Sequence, residues 1–275
     1  MSKNVKRDGG LPAHRDSLLE NAVTDLRSDP NVLGIYLSGS LAKGNADLYS
    51  DIDLHVLVRT ESKGDFINKK RERSGRWGEV MFFEGVSTSP VIVAHYDCFV
   101  KVDCWYHAPE EFVPSLWLRG AEVLYDPSNL ITDVIKKSAD INYKLSSEEV
   151  AFWRGKVLSF IHETYRAVMR NEVYYAYANV DRVRWLIASG WYMELGEHLD
   201  GSYGVWSKVE SKRGKLKEHQ LSLLVDWKCN PESNEMMDLI ERMTPEFIRL
   251  NKVLSDQVGI EANEARIQKC IIKVF

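Results

Sequence analysis

The stretch Gly39-Ser40-Leu41-Ala42-Lys43-Gly44-Asn45-Ala46-Asp47-Leu48-Tyr49-Ser50-Asp51-Ile52-Asp53-Leu54 sets a small-residue turn ten residues ahead of two aspartates. On its N-terminal side, Val32 to Leu37 is a short apolar run that reads as a buried strand. On its C-terminal side, Ile52 to Val58 alternates and is rich in branched residues, so it reads as a second strand. A strand thus ends in a tight turn, and the next strand opens on two carboxylates. Residues i and i+2 of a strand face the same way, so Asp51 and Asp53 project together while Ile52 points into the core.

Two bare carboxylates roughly 6 Å apart repel by about 2–3 kcal/mol at an effective dielectric of about 20. A divalent cation gives a reason to keep them, because paired oxygen ligands suit Mg2+ held together with substrate phosphates. Gly39 removes the side chain where a phosphate would approach backbone N–H groups, Ser40 adds a hydroxyl and Lys43 a mobile cation. Gly39 and Gly44 have the spacing of the first half of a P-loop. Asn45 and Ala46 stand where that loop needs Lys and Ser or Thr, so the P-loop reading fails, and no Gly-x-Gly-x-x-Gly is present.

Further out, residues 13–29 carry Leu18, Leu19, Ala22, Val23 and Leu26 at helical spacing, closed by Asp29-Pro30. Residues 63–75 are very polar and read as a solvated helix or loop, with Lys69 to Arg73 as a wet basic run. Strands are expected at 79–84, 90–95, 98–106 and 121–125. From Ser146 the pattern becomes helical: Val150, Trp153, Val157, Ile161, Tyr165 and Val168 form a stripe, with Ser146 or Ser147 as the cap. More helices are expected at about 174–195, 216–228 and 233–256, with a Gly- and Ser-containing loop over 200–215. The expected fold is therefore α+β. A mixed-sheet domain with flanking helices spans 1–140, and an all-α helical bundle spans 141–275, with Lys136 to Leu145 as the linker.

The 275 residues suffice for two domains, and the 44% hydrophobic and 28% charged content is that of a globular protein. The net charge of -4 carries no basic stripe, which argues against a nucleic-acid partner. Four cysteines without a Cys-x-x-Cys pair read as reduced thiols of a cytoplasmic protein. Met1 to Pro12 has no apolar signal-like core, and no run approaches a membrane span.

Gly39-Ser40, ten residues, then Asp51-Ile52-Asp53-Leu54 resembles the signature of the DNA polymerase β-like nucleotidyltransferases. The full string 39–54 is most similar to the lincosamide and aminoglycoside nucleotidyltransferases, and the close likeness covers about residues 31–58. The resemblance implies that Asp51 and Asp53 hold Mg2+, two ions in all, on the triphosphate of ATP. It also implies that Gly39, Ser40 and Lys43 cradle the β- and γ-phosphates. A hydroxyl of a small-molecule acceptor, an aminoglycoside or lincosamide in that branch, attacks the α-phosphate. The helical half is expected to choose the acceptor and close the other wall of the cleft. A cleft completed by a second subunit, as in a homodimer, also occurs in the superfamily.

The superfamily uses a third carboxylate on a later strand. Asp103, inside the apolar run Phe99 to Tyr106, is the choice, since a carboxylate there should be paired or bound to metal. Asp97 is the runner-up, and a salt bridge from Asp103 to Lys101 on the same strand face is the alternative use. A zinc site among His95, Asp97, Cys98, Asp103, Cys104 and His107 fits no common spacing. Glu149, Glu163 and Glu172 are the helical-half acids considered as a base toward the acceptor. Arg182 and Arg184 read as paired or snorkelling arginines, with Asp181 at hand. Arg213-x5-His219 reads as a solvated helix start rather than a ribonuclease motif. Two rival functions keep the same residues: transfer onto a protein, as in toxin–antitoxin nucleotidyltransferases, and non-catalytic nucleotide sensing.

Overall fold

The computed structural model describes residues 3–199, 202–210 and 214–275, so Arg213 lies outside the described residues. The chain divides into two compact units, 1–142 and 143–275.

The first unit opens with α1 (Val5–Gly9) and α2 (Leu11–Arg27). In chain order there follow β1 (Val32–Leu37), the short α3 (Gly39–Ala42), β2 (Ile52–Val58) and α4 (Lys63–Ser74). Then come β3 (Val80–Glu84), β4 (Val91–Tyr96), β5 (Lys101–His107), β6 (Glu122–Tyr125) and α5 (Leu130–Ala139). The six strands form one sheet in the order β3-β4-β5-β2-β1-β6. Only β2 and β5 run parallel; every other pair is antiparallel, so the sheet is mixed.

Alternation divides the sheet's faces. Leu54, Val56 and Val58 of β2, Cys104 and Tyr106 of β5, and Ile92 and Ala94 of β4 pack into one core. Leu18, Ala22 and Leu26 of α2 and Phe66 of α4 complete that core. The opposite face carries Asp53, His55, Asp103, Trp105 and His107. Its far end is closed by a smaller cluster of Tyr36, Leu57, Phe112, Leu118 and Ile131.

Several local expectations are corrected. The segment 63–75 is a helix, but not a wholly wet one: Phe66, Lys70 and Ser74 lie one turn apart on its buried face. Lys70 keeps its charge satisfied by donating to the carbonyls of Val86 (3.0 Å) and Ser89 (2.5 Å). Arg73 reaches Asp29 at 2.7 Å. The strand expected over 98–106 begins at Lys101, because residues 97–100 make a turn in which Phe99 has φ 66°. The linker expected over 136–145 is partly helical, since α5 runs through Ala139.

The second unit is helical: α6 (Ser147–Met169), α7 (Val173–Glu194), α8 (Glu218–Asp226), α9 (Ser233–Val258) and α10 (Glu264–Ile272). The Ser146 hydroxyl accepts from the Glu149 N–H while the Glu149 carboxylate returns to the Ser146 N–H, a reciprocal cap at the start of α6. Trp153, Val157 and Ile161 of α6 pack with Val180, Ile187 and Trp191 of α7 and with Ile240, Phe247 and Leu250 of α9. The Trp153 indole N–H finds the Leu186 carbonyl at 2.7 Å, so the buried ring loses no hydrogen bond. No helix among the described residues is long and apolar enough to cross a membrane.

Candidate active site

The parallel pairing of β2 with β5 sets Asp53 directly opposite Asp103. Neighbouring strands lie about 4.8 Å apart, so the register alone brings these carboxylates together. Asp51, one residue ahead of β2, faces the same way. One carboxylate oxygen from each of Asp51, Asp53 and Asp103 lies within 4.8 Å of the other two. Among the described residues no other group of three His, Cys, Asp or Glu side chains gathers in this way, and neither Asp97 nor a zinc set from the 95–107 segment does.

Lys101 sits among them. Its ammonium is 2.7 Å from Asp51 Oδ2 and 3.0 Å from Asp103 Oδ2, so the alternative pairing of Asp103 with Lys101 is present within the triad. Burial works against the Lys101 charge, but Asp51 and Asp103 outweigh it and hold its pKa above the usual lysine value. Burial raises the Asp103 carboxyl above its ordinary range; Lys101 opposes that, and Asp51 and Glu84 add to it.

A divalent cation fits this site on three counts. Asp103 Oδ1 is buried with no hydrogen-bond partner, a cost that an ion would remove. The Lys101 ammonium already holds a cation's place between two of the three carboxylates. All the donors are carboxylate oxygens, the set that magnesium takes.

The turn after β1 lies against Asp53. The Ser38 N–H donates to the Asp53 carbonyl at 3.0 Å, extending the β1–β2 ladder into the turn. Gly39 has φ 67°, and a Cβ built there would lie 1.8 Å from Asp53 Oδ2. Glycine is thus required both by the backbone and by the approach of the carboxylate. The Ser40 hydroxyl is buried and without a partner, the second orphaned polar atom of the site. Lys43 is exposed, and its stem passes beside Gly120.

Sequence reasoning missed three supports. Arg15 occupies the apolar stripe of α2 and is buried, donating to the carbonyls of Asp47 (3.0 Å) and Ser50 (3.1 Å). It clamps the loop that delivers Asp51, and Ser50 Oγ accepts from the Asp47 N–H within that loop. A cation in the middle of an otherwise apolar helix face was the available signal. His55, two residues after Asp53, is 2.9 Å from Ser38 Oγ and 3.0 Å from His107, and it stacks on Tyr36 at 4.5 Å. Burial, together with the neighbouring His107, pushes His55 down to about 3. The third support is the pairing of Lys101 with Asp51, beside the Asp103 pairing that the shared strand face suggested.

The helical-unit acids have local partners. Glu149 caps α6, Glu163 pairs with Arg166, and Glu172 pairs with Arg170. Arg184 pairs with Asp181 at 2.6 Å, and Arg182 donates to Asn179.

A family model described as "Nucleotidyltransferase domain" matches residues 19–83, which take in the Gly39 turn, Asp51 and Asp53. No curated protein matches the chain. Solved structures similar to it include an aminoglycoside 6-adenyltransferase from Bacillus subtilis. That match has 12% identity and a TM-score of 0.44, and it covers 95% of this chain and 98% of that one. A nucleotidyltransferase-like protein from Exiguobacterium sibiricum is similar at 14% identity with a TM-score of 0.39, over 88% of this chain and 75% of that one. The N-terminal unit thus matches a nucleotidyltransferase domain over residues 19–83, the stretch that holds the glycine turn and the paired aspartates.

Proposed function

We propose that the protein transfers a nucleoside monophosphate, AMP from ATP, to a hydroxyl of a small-molecule acceptor with Mg2+ held by Asp51, Asp53 and Asp103. The observation that carries this reading is the register of β2 on β5, which gathers three carboxylates beside a glycine turn that no side chain could occupy. Bound there, magnesium supplies charge neutralisation on the triphosphate and acidifies the attacking hydroxyl. The protein does the rest by positioning. Gly39 leaves room for the Asp53 carboxylate to stand against the turn, the orphaned Ser40 hydroxyl donates to a phosphate oxygen, and Lys43 offers a charge from the rim. The acceptor oxygen bonds to the α-phosphorus as the bond to the bridging oxygen breaks. Pyrophosphate departs, and the hydroxyl proton is taken up by a carboxylate oxygen of the triad that the ion does not occupy. Support for a small-molecule acceptor comes from the string 39–54, which is similar to that of the lincosamide and aminoglycoside enzymes.

The test is incubation with ATP labelled at the α-phosphate, Mg2+ and a panel of aminoglycosides and lincosamides. A labelled small molecule is the expected product. A labelled co-purifying protein and no labelled small molecule would replace this reading with transfer onto a protein.

A further inference from the structure

A cavity of about 350 Å³ opens beside the triad. Its rim includes Asp51 and Lys101, both part of the carboxylate cluster, and its walls include Leu48, Met81, Phe82 and Phe99. Three of these walls are unusually exposed for apolar side chains: Met81 63%, Phe82 52% and Phe99 59%. Contiguous exposed apolar surface of this kind marks a binding face, and the volume is that of a small-molecule site. Phe99 holds φ 66°, a conformation that a bulky residue rarely adopts. Its ring is kept outward under the Arg7 guanidinium, 3.9 Å away. His95 and Phe82 stack at 4.2 Å on the β3–β4 hairpin and stiffen the opposite wall.

Sheet order decides what enters. β2 and β5 carry the facing Asp53 and Asp103; the glycine turn follows β1, on one side of that pair, while β3 and β4, on the other, wall the cavity together with the start of β5, the turn before it, the 48–51 loop and Leu11. In phosphoryl transfer the attacking and leaving oxygens lie in line on opposite sides of the phosphorus. If the leaving pyrophosphate lies at the Gly39 turn, the attacking hydroxyl comes from the cavity side. We infer that the acceptor is amphipathic: an apolar arm seats against Leu48, Met81, Phe82 and Phe99 and delivers an adjoining hydroxyl across Asp51 and Lys101 to the triad. This rests on the nucleotidyl-transfer reading. It also moves part of acceptor choice into the catalytic unit, whereas the sequence assigned that choice to the helical half. Asp51 is the one carboxylate among the described residues of the lining, and a polycation without an apolar arm leaves the Leu48, Met81, Phe82 and Phe99 wall unfilled.

The test uses the full chain with 13C-methyl methionine, the Met81 signal being assigned from a Met81→Leu variant. The probes are methyl, butyl and hexyl glucoside, which share one hydroxylated head, together with kanamycin as a polycation and Mg·ATP. The expected result is a Met81 shift that saturates at about fourfold lower concentration per added methylene, and no Met81 shift with kanamycin. Phe99→Gly removes a wall while suiting the positive φ, so the fold is kept. It should raise the half-saturating concentration of hexyl glucoside about tenfold and leave Mg·ATP affinity, measured by equilibrium dialysis, within twofold. Chain-length independence, an equal response to kanamycin, or an unchanged Phe99→Gly would overturn the inference while leaving Mg·ATP binding intact. A Phe99→Gly loss confined to Mg·ATP would assign the cavity to the nucleotide and overturn it too. Failure of the wild-type protein to bind Mg·ATP would instead sink the nucleotidyl-transfer reading, and the acceptor assignment with it.

Discussion

Replacing Gly39 by Ala asks one methyl group to share space with Asp53. The added Cβ would stand 1.8 Å from Oδ2 and 2.8 Å from Cγ of that aspartate, at a residue with φ 67°. The left-handed backbone costs an L-residue about 1–2 kcal/mol. Forcing a methyl into filled space costs about 1–3 kcal/mol more. Gly44 separates the two effects: its φ is 66°, yet nothing lies within 4 Å of a Cβ built there. Gly44→Ala should therefore show the backbone cost alone, and Gly39→Ala about 2–5 kcal/mol. In an Asp53→Ala background the nearest remaining Asp53 atom is its Cβ at 3.4 Å, an ordinary contact. There the Gly39→Ala cost should fall to that of Gly44→Ala, giving a coupling of about 1–3 kcal/mol. Urea unfolding of the four proteins of the cycle, plus Gly44→Ala, in EDTA measures this. Equal costs for Gly39→Ala and Gly44→Ala, with no coupling to Asp53, would refute the claim that the turn is shaped around the carboxylate.

Arg15→Met removes two charge-assisted hydrogen bonds to the Asp47 and Ser50 carbonyls and should destabilise the protein by about 2–4 kcal/mol, read by chemical unfolding. A loss under 0.5 kcal/mol, on the scale of about ±0.5 for ordinary surface changes, would mean that the loop does not need the clamp. Lys101→Met leaves Asp51 and Asp103 facing each other, so Mg2+ should raise the Tm of the variant more than that of the wild type. An equal or smaller rise would count against a cation site there. His55 and His107 are both held below their ordinary pKa by burial, so the folded state binds fewer protons than the unfolded chain once pH drops below about 6.5. The stability they contribute is complete above that pH and is lost as pH falls, toward 3 in the case of His55, with a slope of up to about 1.4 kcal/mol per pH unit for each histidine. His107→Gln should flatten this acid limb in pH-dependent unfolding, and an unchanged limb would remove the pair as its cause.

The chemistry-bearing part of this chain was legible because it is local. A strand, a glycine turn and a strand opening on two aspartates lie within about thirty residues, and period-two alternation sets both side chains on one face. Asp103 was found from a different signal, a lone acid in an apolar strand. Its facing of Asp53 depends on the β2–β5 pairing, which joins residues 50 apart and leaves no periodic trace. The same holds for Lys101: its spacing from Asp103 could be read, but its pairing with Asp51 could not. Phe99 was read into a strand because aromatic residues favour strands, and the turn at Tyr96–Val100 overrode that preference. The polar segment 63–75 hid its buried face because that face uses Lys70, whose charge is satisfied by two distant carbonyls. α10 was missed because it is only nine residues long, with just two residues, Ile267 and Ile271, fully buried.

The reaction proposed for the carboxylate triad is transfer of the α-phosphoryl group. Parallel reactions with ATP labelled at the α- or the γ-phosphate, in wild-type protein and in Asp53→Asn, test it most directly. The α-label is expected on the acceptor and the γ-label in pyrophosphate, and both signals should vanish in Asp53→Asn while the fold is kept. Transfer of the γ-label to the acceptor, or full turnover by Asp53→Asn, would contradict it.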